Sequence, residues 1–148
     1  MRMSSGLKSV ACIMLFSLAA CGQKSGGGVS YEKKSKSDIV QVCKSDMGMM
    51  FDIYRMRKKI SDGQERKITN QCCKVVNKEA GKLSDIQRAW LWYRWEGNDD
   101  INKTPNQIEA LKQVERSLRG DLNQAQYLQA SNIKANASIC AARAADSL

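Results

Sequence analysis

The chain has no histidine and only one proline, Pro105, among its 148 residues. The lack of histidine excludes Ser-His and Cys-His catalysis and removes imidazole as a metal ligand. The scarcity of proline permits long helices, and no alternating apolar pattern is long enough to predict a strand instead. Aromatic residues are few, at 6% of the chain, yet all three tryptophans fall within residues 86–95. The sequence therefore favours an all-helical protein with one unusual helix.

Acidic residues are absent from the first 31 positions, where an apolar run follows Arg2 and Lys8. This order of positive charge, apolar core and small residues predicts a secretory signal over residues 1–20. The apolar run is about a dozen residues long, and a transmembrane helix needs ~20, so a permanent transmembrane anchor is not expected.

The apolar run ends in Leu18-Ala19-Ala20-Cys21, which resembles the lipobox of bacterial lipoproteins. The resemblance implies a diacylglyceryl thioether on Cys21, cleavage before it and acylation of its new amino group. Two or more acyl chains anchor a protein stably, at about 0.8 kcal/mol per buried CH₂. Because Gly22 is not the aspartate that retains such proteins in the inner membrane, the resemblance implies the outer membrane, facing the periplasm or the cell surface. The alternative is an ordinary signal with an incidental cysteine.

Residues 1–20 hold two of the 24 basic residues and none of the 15 acidic ones, so the remainder carries 22 minus 15, or +7. Such a surface favours anionic partners, including lipid headgroups, lipopolysaccharide and acidic proteins, and export argues against nucleic acid. Glycines, serines and lysines make residues 21–36 a predicted flexible tether. Residues 37–148 are long enough for one helical domain.

Four cysteines follow Cys21, namely Cys43, Cys72, Cys73 and Cys140. An even number in an exported chain predicts two disulfides. Adjacent residues on a helix point about 100° apart, so Cys72 and Cys73 are predicted to bond separately to Cys43 and Cys140, with the assignment open. The alternative role for these cysteines is a zinc site, but the chain has neither histidine nor a C-x₂₋₄-C pair to support one.

Apolar residues recur at helical spacing beyond residue 37 and predict a bundle of four or five helices. The first helix is expected to start at Ser37 or Asp38 and to end near Gly63 in a left-handed conformation, and the second to end at Gly81. The apolar positions of these two helices are Val40, Cys43, Met47, Met50, Phe51 and Tyr54, then Ile68, Cys72, Val75 and Val76.

Two capping boxes mark later helix starts. Ser84 with Gln87 begins a third helix that Gly97 ends, and Thr104 begins another, with Pro105 at its first position. The apolar face of that helix is Ile108, Leu111, Val114 and Leu118. Residues 120–121, Gly-Asp, either divide the last segment into two helices or lie inside a single one.

Residues 86–95 have two opposite apolar sides on a helical wheel. One side holds Ile86, Ala89, Trp90 and Tyr93, and the other holds Arg88, Leu91, Trp92 and Trp95. Either the helix is central and the tryptophans are core, or Arg88, Trp92 and Trp95 form a partner-binding face while Trp90 and Tyr93 pack inward. Tryptophan and arginine are enriched in binding hot spots, and Arg88 lies one turn before Trp92, within cation–π reach.

The stretch LSDIQRAWLWYR, residues 83–94, resembles the signature of LprI-type lysozyme inhibitors, small exported bacterial proteins with disulfides. The matching positions are Leu83, Gln87, Arg88, Ala89, Trp90, Tyr93 and Arg94, and Cys140 with Arg143 resembles a terminal cysteine followed by arginine. The resemblance implies inhibition of a lysozyme. The chain departs from the pattern at residues 95–97, where that family usually has a cysteine. Its positive charge also slows encounter with a basic lysozyme.

These features predict a non-enzymatic lipoprotein, without metal or cofactor, whose helical domain binds a protein or envelope partner. Lysozyme inhibition, immunity to a toxin and surface exclusion all fit that description. The enzyme alternative is a small hydrolase that uses Asp99 and Asp100, or Glu109 and Glu115, as acid and base. The first pair lies in a turn-like GNDD segment, and the second pair is about 120° apart on a helix, so neither pair is well placed for catalysis.

Overall fold

The computed structural model describes residues 23–24, 29–97 and 102–148. Five helices account for most of these residues, which confirms the predicted all-α bundle. They are α1 (Lys36–Lys58), α2 (Asp62–Ala80), α3 (Asp85–Glu96), α4 (Pro105–Asp121) and α5 (Gln124–Asp146). Two short strands, β1 (Gln23–Lys24) and β2 (Ser30–Tyr31), pair antiparallel before α1, with Gln23 opposite Tyr31.

A capping box opens every one of these five helices, including the two predicted at Ser84 and Thr104. In each, the N-cap side chain accepts a hydrogen bond from the backbone N–H three residues on, which satisfies an amide that the helix leaves unpaired. The N-cap residues are Ser35, Ser61, Ser84, Thr104 and Asn123. Hydrogen bonds from Ser35 also hold the pKa of the Asp38 carboxyl below its usual value.

Local signals misplaced the junction between the first two helices. The left-handed residue is Lys59, with φ 50°, whereas Gly63 lies in the first turn of α2. The reason is that Ile60 is buried and Ser61 already caps α2, so the chain must turn before Gly63 is reached. The predicted core position Val75 is also wrong, because its side chain is 55% exposed.

Residues 120–121 do end a helix. α4 stops at Asp121, the buried Leu122 adopts extended backbone geometry, and Asn123 caps α5. Of the two arrangements that the sequence left open, the structure therefore has two helices. The predicted ends of α2 at Gly81 and of α3 at Gly97 are confirmed.

Two disulfides join α2 to its neighbours. Cys43 of α1 bonds to Cys73, and Cys72 bonds to Cys140 of α5. This confirms the separate pairing predicted for the adjacent cysteines and resolves its assignment. The two bonds link α1, α2 and α5 covalently into one layer. α3 packs against both α1 and α5.

The chain before α1 is buried at two positions, Tyr31 and Lys34. Tyr31 and Lys34 are 7% and 6% exposed, so the predicted flexible tether is wrong for residues 29–36. The Lys34 ammonium lies over the Trp92 ring of α3, a contact that a glycine- and lysine-rich composition does not reveal. Cys21 and the predicted signal lie outside the described residues. No described helix is long and apolar enough to cross a membrane.

Candidate functional site

α3 contacts three other helices of the bundle, α1, α4 and α5. Trp95, on the predicted partner-binding face, is only 1% exposed, and Trp90 on the opposite side is also buried. The prediction that Trp95 is available to a partner is therefore wrong. A helix with neighbours on several sides buries both of its apolar sides, so the wheel alone could not assign one of them to solvent.

Trp95 is held by polar contacts as well as by packing. Its indole N–H donates to Oδ2 of Asp46 in α1 over 3.1 Å. Lys134 of α5 places its ammonium 5.2 Å from the ring centroid and 3.8 Å from the Asp46 carboxylate. This tryptophan thus joins three helices in the interior of the bundle.

Arg88 and Trp92, the other two predicted partner-binding residues, secure the segment before α1. The Arg88 guanidinium donates to the carbonyl oxygens of Lys34 and Leu83 and pairs with Asp85. Trp92 is half-buried and receives the Lys34 ammonium 3.7 Å from its ring centroid. Trp92 thus receives its cation from Lys34, and the prediction that Arg88 supplies it is wrong. Its contact with the Lys34 carbonyl ties the segment before α1 to α3 at that residue.

Replacing Arg88 by alanine is expected to free residues 29–35 and to lower the free energy of unfolding by about 2 kcal/mol, because buried carbonyl oxygens lose a charged donor. Thermal melting and the rate of tryptic cleavage after Lys34 measure the two effects. The control is Arg116→Ala, which removes an exposed arginine that pairs with Glu109. Equal cleavage rates in the two variants would contradict the role given to Arg88.

A second polar centre, which the sequence did not predict, lies between α3 and α5. Trp90 meets Tyr127 edge-on, with ring centroids 5.2 Å apart, and donates its indole N–H to Glu115 over 2.8 Å. Beside this pair, Arg94 and Lys134 line a cavity of about 220 Å³. No periodic pattern distinguishes Lys134 from the exposed lysines, so only the packing of α5 against α3 reveals it.

A cavity of about 480 Å³ forms an open groove between α1 and α2. Lys44 and Lys74 border it, together with polar side chains of Gln41, Asn70 and Asn77. It is a basic surface without a cluster of catalytic groups.

The carboxylates considered for hydrolysis do not form an acid–base pair in the described part of the chain. Arg116 hydrogen-bonds to Glu109 and holds the pKa of that carboxyl below its usual value, the wrong direction for a general acid. Glu115 accepts the Trp90 indole. Asp99 and Asp100 lie outside the described residues. Among the residues described, no three histidine, cysteine or acidic side chains converge in a way that could hold a metal ion.

Comparisons of the chain with protein-family models, curated protein sequences and solved structures find no match.

Proposed function

We propose that this protein is a non-enzymatic, lipid-anchored protein of the bacterial outer membrane whose helical domain binds a partner. The observation that carries the proposal is the pair of disulfides, Cys43–Cys73 and Cys72–Cys140. Disulfides persist in oxidising compartments, which supports export of the chain, as does its signal-like start. These four cysteines form the two disulfides, so neither bond needs Cys21, which ends the lipobox-like segment.

A binding role is supported by the arrangement of the remaining chemistry. The carboxylates Glu109 and Glu115 have internal partners, and the chain lacks the histidine that most small hydrolases use as a base. The chain, in contrast, has a net positive charge, and one of its cavities is bordered by aromatic and cationic side chains. These features suit recognition of an anionic partner at the envelope.

Inhibition of a lysozyme is the second candidate function, supported by the resemblance over residues 83–94, which include the N-cap and most of α3. Leu83, Gln87, Ala89 and Trp90 are all buried, and Gln87 donates to the Gln126 carbonyl oxygen of α5. The resemblance to LprI-type inhibitors thus concerns residues that build the scaffold. The effect of the purified protein on lysis of bacterial cells by lysozymes tests this candidate directly.

Lipidation of Cys21 is tested by metabolic labelling with a clickable fatty acid. Cys21→Ser is expected to abolish labelling and to release the protein from the membrane fraction, because a serine forms no thioether. Cys12→Ser, which changes the other cysteine of the same segment, is the matched control and should keep both label and location. Undiminished labelling of Cys21→Ser would exclude this anchor.

A further inference from the structure

The cavity between α3 and α5 presents hydrogen-bond donors along one helix face. Tyr127, Ser131, Lys134 and Ser138 follow one another at intervals of three or four residues on α5, so they share that face. Trp90 and Arg94 line the cavity from α3. Arg119 covers Tyr127, with its guanidinium carbon 3.8 Å from the ring centroid. The aromatic wall is therefore fixed, and hydroxyl, ammonium and guanidinium groups surround the same small space.

Charge around this cavity is unbalanced. Arg94 and Lys134 both line it, and no carboxylate is among its lining residues. Asp46 lies 3.8 Å from the Lys134 ammonium but belongs to α1 and is engaged by the Trp95 indole. Burial lowers the pKa of Lys134, the Asp46 carboxylate opposes that effect, and repulsion from Arg94 adds to it. An anion inside the cavity would therefore stabilise both cations.

We propose that this cavity is a binding site for a carboxylate carried on an apolar group, such as an acidic side chain or the chain terminus of a protein partner. Arg94 and Lys134 would pair with the carboxylate, the serine hydroxyls would donate to it, and Trp90 with Tyr127 would contact the apolar part. The inference rests on the proposed partner-binding role and names the chemistry of that partner. It is independent of the lipid anchor, since loss of labelling at Cys21 and loss of carboxylate binding are separate results.

Size and charge favour this ligand over a phosphate. A cavity of about 220 Å³ is smaller than the usual site for a whole small molecule, so it suits a group of residue size. The charged groups on and next to the cavity are Arg94, Lys134 and Arg119 against Asp46 and Glu115. Three minus two leaves one net positive charge, which a singly charged carboxylate neutralises and a doubly charged phosphate exceeds. Arginine also matches the planar geometry of a carboxylate with two parallel hydrogen bonds.

The test is an NMR titration of the purified protein in detergent with 3-phenylpropionate, its uncharged amide 3-phenylpropionamide, and inorganic phosphate. The carboxylate is expected to shift the Trp90 indole signal and the backbone amides of residues 131–138, and to bind about tenfold more tightly than the amide. Equal affinity for carboxylate and amide, tighter binding of phosphate, or shifts located elsewhere would each overturn the proposal.

Two variants remove the cations separately. Lys134→Met and Arg94→Gln are each expected to weaken carboxylate binding about tenfold, whereas Lys74→Met removes an equal charge from the groove between α1 and α2 and should change it less than twofold. Arg94 is exposed, so its replacement preserves the fold even if Asp46 does not tolerate the loss of Lys134. Unchanged binding by Arg94→Gln would refute the assignment.

Discussion

Trp95→Ala is expected to lower the free energy of unfolding by about 3 to 5 kcal/mol, a large part of the roughly 5 to 15 kcal/mol that holds a domain together. The side chain is fully buried, so its removal leaves a cavity that the disulfide-linked layer cannot readily collapse to fill. The substitution also leaves the Asp46 carboxylate without its indole donor, which adds to the loss. Urea denaturation of the two proteins under non-reducing conditions measures the difference.

Trp92→Ala is the matched control for that experiment, because it removes the same type of side chain from the preceding turn of α3. Trp92 is half-buried and contacts Lys34 and Tyr93, so its loss should cost less than about 2 kcal/mol. Equal destabilisation by the two substitutions would mean that Trp92 is as essential to the core as Trp95. The comparison thus separates the cost of losing a buried side chain from the cost of replacing a tryptophan as such.

The helical class and most helix boundaries were predictable because their signals are local. Ser84 with Gln87 and Thr104 with Pro105 make contacts within one turn, so the sequence contains everything those helix starts need. The cysteine pairing was predictable for a similar reason. Adjacent positions on one helix must reach different neighbours, whatever the rest of the fold does.

The errors concern contacts that only the tertiary structure determines. The wheel of α3 is symmetric enough to leave open which tryptophan is exposed, and the answer depends on helices packing against several of its sides. Lys34 lies in a lysine-rich segment of flexible composition, yet it is buried because Trp92 supplies an aromatic face. Lys134 is similar, since nothing within α5 distinguishes it before Asp46, Trp95 and Arg94 are brought near.

Removal of the Cys72–Cys140 disulfide is expected to destabilise the protein by about 4 kcal/mol. In the chain-entropy model the cost depends on the loop that the bond closes, here with a sequence separation of 68 residues against 30 for Cys43–Cys73. The longer loop makes the Cys72–Cys140 bond worth about 0.7 kcal/mol more than the Cys43–Cys73 bond. The Cys72–Cys140 bond also joins α2 to α5, so its removal should loosen the end of α5 first.

Both cysteines of a bond must be replaced together, because Cys72 and Cys73 are adjacent. A single substitution at either position would leave a free thiol next to the remaining disulfide, where exchange could form a non-native bond. The variants to compare are therefore Cys72→Ala with Cys140→Ala, and Cys43→Ala with Cys73→Ala. Urea denaturation gives the two free energies, and hydrogen exchange of residues 137–146 locates the loosening. Faster exchange there in the first double variant than in the second is expected, and the reverse order would show that packing against α3, rather than the bond to Cys72, holds the end of α5.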